Sequence, residues 1–213
     1  RFLFIASCQT LTTEYHYLDS SSPKDAFSVF LPRVRGHEYE VDHFSDRFYI
    51  KSNDEAKNFR LLETDDQRIG REHWTEVVAH RDDVLIEGFE TFDDHLVIEE
   101  RRNGLAQIRI KPWRSVDIES IGAEHEITFN EPAYDVYIDV NRNPETTTLR
   151  FSYSSMTTPH SVYDYDMATR ERTLLKQDEV LGDFNSDRYE SVRLTATTTD
   201  GTQIPISVVR RRD

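Results

Sequence analysis

The sequence predicts an all-β fold of repeated four-stranded units, on three observations. Short runs of β-branched and aromatic residues, five to eight long, alternate with polar turns along the chain. No long stretch carries the 3.6-residue apolar period of an amphipathic helix. The strand groups also recur: Phe44-Ser45-Asp46-Arg47-Phe48-Tyr49-Ile50 lies over Phe92-Asp93-Asp94-His95-Leu96-Val97-Ile98 at an offset of 48 residues. Each copy is a strand end, an acidic tight turn and a new strand.

The elements follow in order. Phe2–Ser7, Glu14–Asp19 and Phe27–Leu31 form a first group of strands. Glu38–Phe44, Arg47–Ser52, Phe59–Thr64 and Trp74–Ala79 form a second. Val84–Phe89, His95–Arg101, Ala106–Ile110 and Ser115–Glu119 form a third. Tyr134–Asn141, Thr148–Ser154, Ser161–Asp166 and Arg172–Gln177 form a fourth, in which the longer turn Asn141-Arg142-Asn143-Pro144-Glu145 replaces the tight one. Asn103-Gly104 reads as a two-residue hairpin turn, because glycine accepts positive φ at little cost, and Asp200-Gly201 reads as another. Pro32, Pro112, Pro132 and Pro159 fall at strand ends, where a missing N–H does least harm. Helical hints are confined to Asp54–Asn58 and Gln177–Leu181, a turn or so each. Beyond Asp183 the pattern changes to a long hairpin, Arg188–Thr197 with Thr202–Val209.

A period of roughly 40–50 residues with four strands in each is the signature of β-propeller blades. A β-sandwich would not show the period. A barrel or doubly wound sheet would need helices in gaps that are too short here. The expected fold is a partial β-propeller of about four four-stranded antiparallel blades. Residues 1–183 form the blades and 184–213 a connector hairpin. A chain that opens at Arg1, already within the strand-like run Phe2–Ser7, reads as a piece of something longer. That run is too short for a secretory signal, and no small-residue cleavage site follows it.

Composition narrows the function classes. The net charge of −14 argues against nucleic acid, whose phosphates call for a basic surface. It would suit a cationic partner or substrate, but solubility is the preferred reading of an acidic balance. No apolar run is long enough to span a membrane. One cysteine, Cys8, forms no internal disulfide and no zinc cluster, which favours a reducing, cytoplasmic setting.

The seven glycines are too scattered for G-x-S-x-G, G-x-G-x-x-G or a phosphate loop, so the turn that exposes a hydrolase nucleophile is missing. His37-Glu38 and His125-Glu126 are not followed by the second histidine of a zinc helix. Asp139-x-Asn141-x-Asn143 resembles the start of a calcium loop. However, Pro144 stands where glycine must turn and Arg150 where the bidentate glutamate belongs, which leaves a blade turn. The acidic pairs Asp65-Asp66, Asp82-Asp83, Asp93-Asp94 and Glu99-Glu100 place adjacent carboxylates on opposite strand faces and read as hairpin tips and solvated faces. Phe48, Tyr49, Phe89, Phe92, Tyr134, Tyr137 and Tyr153 read as packing between blades. Ser154-Ser155-Met156-Thr157-Thr158-Pro159 invites a nucleophile reading, but it has no base placed beside it and reads as a hydroxyl-rich strand end. No catalytic, cofactor-binding or metal residue is assigned, and no cofactor is expected.

Several segments carry a family resemblance. They are Phe30-Leu31-Pro32-Arg33 with His37-Glu38-Tyr39 and Asp42-His43; Arg47-Phe48-Tyr49-Ile50-Lys51-Ser52-Asn53; Glu99-Glu100-Arg101 with Gly104-Leu105; Phe151-Ser152-Tyr153-Ser154-Ser155-Met156-Thr157-Thr158-Pro159; and Tyr163-Asp164-Tyr165-Asp166-Met167 with Glu171-Arg172 and Leu175-Lys176-Gln177. In these the chain resembles the oligopeptidase B group of the prolyl oligopeptidase family of serine peptidases, most specifically in the Tyr-Ser-Ser-Met-Thr-Thr-Pro stretch. The loops 65–72 and 111–126 match less well.

The resemblance implies a seven-bladed parent. Its propeller covers an α/β-hydrolase domain with a Ser-Asp-His triad and admits only short peptides, which are cut after Arg or Lys. Asp200-Gly201-Thr202-Gln203-Ile204-Pro205 would lie where the chain returns to the catalytic domain. This stretch alone would then lack the triad and be inactive, with its own hydrolase domain and short basic peptides as partners. An unclosed ring is expected to be marginally stable or to self-associate. The rival reading is a stand-alone propeller used as an interaction module. A glycosidase-type propeller would need convergent carboxylates.

Overall fold

The computed structural model describes residues 1–112 and 123–212. It divides into two compact units, Arg1–Ile86 and Glu87–Asp213. Among the described residues seventeen strands fall into five antiparallel sheets, each running in chain order with sequential strands as neighbours.

In the first unit, β1 (Phe2–Gln9), β2 (Thr12–Asp19) and β3 (Ser28–Val29) make a three-stranded sheet. β4 (Tyr39–Phe44), β5 (Arg47–Ser52), β6 (Arg60–Asp65) and β7 (Thr75–Val78) make a four-stranded one. The period-2 pattern determines which side chains turn inward. Phe30, Leu31, Tyr39, Val41, Phe48, Ile50 and Leu62 are buried in one cluster, with Phe2, Phe4, Tyr15, Tyr17 and Trp74 packed on it. Phe48 is wholly buried and meets Phe2 at 5.0 Å and Phe30 edge-on at 5.2 Å between ring centroids. Such aromatic pairs contribute beyond the area they bury.

β8 (Val84–Thr91) carries the chain across the division between units. In the second unit β9 (His95–Arg102), β10 (Leu105–Pro112) and β11 (His125–Glu126) extend the sheet begun by β8. β12 (Tyr134–Ile138), β13 (Thr148–Ser155), β14 (Ser161–Asp166) and β15 (Arg172–Gln177) form the next. Val97, Ile108, Ile110, Leu149, Phe151, Tyr165 and Met167 lie at the centre of the core between them. β16 (Tyr189–Thr197) and β17 (Gln203–Arg211) form a separate hairpin.

Several expectations are corrected. The first group keeps the three strands expected of it, but its third, expected over Phe27–Leu31, is shortened to Ser28–Val29, the two residues that pair with β2. Ser115–Glu119, the expected outer strand of the third group, lies outside the described residues; among those described, His125–Glu126 also pairs with β10. Asp54–Asn58 is a pair of turns, since Glu55 and Phe59 take φ of 51° and 63°, which no helix accommodates. Residues 178–181 are likewise non-helical. Short 3₁₀ turns occur instead at Arg71–His73 and Ser186–Arg188, the latter capped by the Asn185 side chain on the Asp187 N–H at 2.8 Å.

β12 ends at Ile138, three residues early. There the Asn141 side-chain amide takes over the ladder, accepting from the Arg150 N–H at 2.8 Å and donating to its carbonyl at 3.0 Å. Not all acidic pairs are solvated tips: Glu100 is 1% exposed against Arg109, and Asp66 is a buried acceptor for His43 and Arg1. Tyr137 is exposed and hydrogen-bonds His160 rather than filling the core.

Candidate functional site

The hydroxyl-rich segment that ends β13 converges on one carboxylate. Glu131, in the loop before β12, accepts from Tyr153 Oη at 2.5 Å and Thr158 Oγ1 at 2.8 Å on one oxygen. On the other it accepts from Ser155 Oγ at 2.6 Å and from Thr157 Oγ1. Ser155 Oγ in turn accepts from the N–H groups of Thr157 and Thr158 at 3.0 and 2.8 Å, closing the turn into β14. Burial would raise the Glu131 carboxyl, but the hydroxyls of Ser155, Thr157, Tyr153 and Thr158 outweigh it and hold the group below the ordinary carboxylate range. Burial, and then that same carboxylate, push the Tyr153 phenol upward.

This arrangement fixes a turn. Ser155 Oγ donates to the Glu131 carboxylate and accepts from two backbone amides. Ser154 and Ser155 both line an open hollow with Ala133, Tyr134, Asp135, Met156 and Ser207. Among the described residues no imidazole bonds either serine.

A second cluster does pair serine with histidine, and nothing in the sequence pattern announced it. His37 Nε2 lies 2.9 Å from Ser52 Oγ, and both side chains are buried. The group behind the imidazole is a guanidinium: Arg71 Nη2 lies 2.9 Å from His37 Nδ1 while Arg71 Nη1 reaches Asp54 at 2.7 Å. Arginine can only donate, so Nδ1 accepts, Nε2 carries the proton, and Ser52 is the acceptor. General-base catalysis runs the proton the opposite way. Burial first, then Arg71, lower the His37 pKa and keep the ring neutral. The cluster therefore ties the start of β4 to the end of β5.

The third feature is the hairpin. Its register puts Val192↔Val208, Leu194↔Ile206 and Ala196↔Ile204 on one face, and Arg193↔Ser207 and Thr195↔Pro205 on the other. On the apolar face Leu194, Ile204 and Ile206 are 52, 46 and 41% exposed. The other face meets the β9–β10 turn. Arg193 Nη2 donates to the Asn103 carbonyl, and a Cβ on Gly104 would lie 3.3 Å from both Arg193 Nη2 and Pro205 Cγ. At the hairpin's tip Asp200 accepts from Thr198 and from the Thr202 N–H, which pulls its carboxyl down to about 2.

The calcium-like residues are spent locally. Asp139 accepts from Ser152 Oγ at 3.0 Å and the Val140 N–H at 2.8 Å, and Asn143 accepts from the Glu145 N–H at 3.1 Å. Among the described residues no three His, Cys, Asp or Glu side chains are grouped to hold a metal ion.

Comparison with known proteins places the chain. The model of the family described as prolyl oligopeptidase, N-terminal β-propeller domain, matches residues 1–178. The chain belongs to that propeller family. The sheets β4–β7, β8–β11 and β12–β15 are accordingly four-stranded blades, and β1–β3 a three-stranded one. Oligopeptidase B from Leishmania major superposes with a TM-score of 0.84 at 30% identity over 100% of this chain. Oligopeptidase B from Trypanosoma brucei, in a closed form with covalently bound antipain, does so with 0.85 at 30% identity over 99%. Dipeptidyl aminopeptidase BI of Pseudoxanthomonas mexicana is 37% identical over the whole chain. The propeller chain spans 28–30% of the length of each of these proteins.

Glu131 escapes sequence reasoning because it lies 22 to 27 residues from the hydroxyls it gathers, at no recognisable spacing. The only hint is the hydroxyl run, which implies an acceptor without naming it.

Proposed function

We propose that residues 1–183 are the C-terminal blades of the propeller of a serine-type oligopeptidase. Residues 184–213 are the connector into an α/β-hydrolase domain that carries the Ser-Asp-His triad. In this reading the propeller is non-catalytic and gates access by size, because an extended peptide can pass where a folded protein cannot. The longer protein hydrolyses short peptides after Arg or Lys, in the cytoplasm. The observation that carries the reading is the likeness, over virtually the whole chain at 30% identity, to two oligopeptidase B structures. The amphipathic hairpin supports it, since an apolar ribbon face of Val192, Leu194, Ile204 and Ile206 suits burial against a further domain.

The test is a fluorogenic Arg-Arg substrate assayed on the full-length protein and on residues 1–213 in parallel. The first should be active and the second silent. Activity in residues 1–213 would overturn the reading, and two silent samples would favour a propeller that serves as an interaction module.

A second reading rests on the 37% identity to a dipeptidyl aminopeptidase, a name that denotes removal of dipeptides from a free amino end. One comparison separates the two. An N-terminally blocked substrate is cut as readily as the free one by an endopeptidase and is spared by a dipeptidyl aminopeptidase.

A further inference from the structure

Among the described residues Arg193 has no carboxylate within salt-bridge distance, and its hydrogen bond goes to the Asn103 backbone carbonyl. The carbonyl belongs to a turn shaped to present it. Asn103 and Gly104 take φ of 52° and 74°, both in the left-handed region, which the two-residue turn between β9 and β10 requires. Gly104 is favoured by its φ, and a Cβ there would press on Arg193 Nη2 and Pro205 Cγ, each 3.3 Å away. Pro205 lies within β17 opposite Thr195, so guanidinium and pyrrolidine ring stand on one face of the hairpin and straddle the glycine.

We propose that the Asn103–Gly104 turn is the seat of a latch, with Arg193 and Pro205 as its two jaws, that fixes the angle at which the β16–β17 hairpin leaves the blades. This rests on the reading of residues 184–213 as a connector. Under it, Gly104, Arg193 and Pro205 are positioning residues for the hydrolase domain, and seating or lifting the latch biases the closed or open form. The physical basis is a charge-assisted hydrogen bond to a rigid turn. It holds one short stretch of ribbon while the opposite face stays free for the next domain. A hinge is a few torsions beside a fixed point, and this contact is the fixed point.

The test uses the full-length protein with the substitutions Arg193→Ala, Arg193→Lys, Gly104→Ala and, as a control, Gly36→Ala. Gly36 has a φ of 86° and open space within 4 Å of where a Cβ would stand, so its replacement adds the same backbone strain without the contact. Hydrogen exchange at the amides of β16 and β17 is the primary readout. It should speed up about tenfold in Arg193→Ala and Gly104→Ala, stay at the parent rate in Gly36→Ala, and be partly restored in Arg193→Lys. The second readout is the cleavage rate of a long basic peptide relative to a dipeptide substrate. A loosened latch raises that ratio about fivefold while the short-substrate rate holds. Unchanged exchange in Arg193→Ala overturns the latch even if the protein is an active peptidase. Faster exchange in a protein with no peptidase activity keeps the latch and removes the peptidase reading.

Discussion

Glu131 draws four hydroxyl protons onto two oxygens, so its removal should be felt at every one of them. Glu131→Ala is expected to cost roughly 3 kcal/mol, because one buried and three half-buried hydroxyls lose a charged acceptor, and Glu131→Gln about half of that. Urea midpoints at constant slope check both. The carboxyl is held below its ordinary value of 4.5, so its contribution is complete above that pH and is lost as the pH falls below it. The stability gap between Glu131→Gln and the parent should therefore narrow at about pH 3.5. Ser155→Ala in the full-length protein should lower stability and leave the peptidase rate unchanged, and a lost rate would restore Ser155 as a nucleophile. His37 titrates below its ordinary 6.5, so the stability it contributes is present above that pH and is lost on acidification. An imidazole NMR titration with a midpoint above 6.5 would contradict this. None of these groupings was legible in the sequence, because each joins residues from separate strands and turns through contacts that leave no local spacing.

Strands were the legible part. The bounds of β5, β14 and β15 fall where alternation and flanking turns place them, at Arg47–Ser52, Ser161–Asp166 and Arg172–Gln177. Boundaries failed where a side chain substitutes for backbone, as Asn141 does at the end of β12, since propensity carries no record of such a partner. Burial within a strand was also misread where a charge pair crosses it. Arg109 on β10 reaches Glu100 on β9 at 2.5 Å, with 12 and 1% of their side chains exposed, and meets Glu124 at 2.8 Å. Arg109→Met should cost about 3 kcal/mol because it takes a guanidinium partner from a buried carboxylate. Adding Glu100→Gln should recover part of that loss, and a double-mutant cycle measures the coupling.

The blade repeat was legible at the scale of the whole molecule because each blade solves the same packing problem with an antiparallel meander, of four strands in β4–β7, β8–β11 and β12–β15 and of three in β1–β3. What the repeat could not reveal is how the edges are managed. Leu3 and Ile5 on β1 are 49 and 51% exposed, and Leu174 and Leu175 on β15 are 49 and 47% exposed. Residues 1–213 produced alone should therefore associate as concentration rises, which sedimentation would show. A sharp monomer would favour a self-sufficient module. The acidic balance of −14 belongs to this scale too. If it draws basic peptides in, kcat/KM of the full-length protein for such peptides should fall several-fold from low to about 0.5 M salt, and a neutral peptide should show no such fall.

The Ser52–His37–Arg71 cluster has a consequence for how hydrolases are recognised by shape. A search for a serine oxygen within bonding reach of an imidazole would flag it as a dyad, since heavy-atom positions alone cannot say which way a hydrogen points. The guanidinium sets that direction, and from it we expect this serine to be inert. A serine-reactive fluorophosphonate should leave Ser52 unlabelled, so a chemical probe reads what a distance template cannot: the sense of one proton.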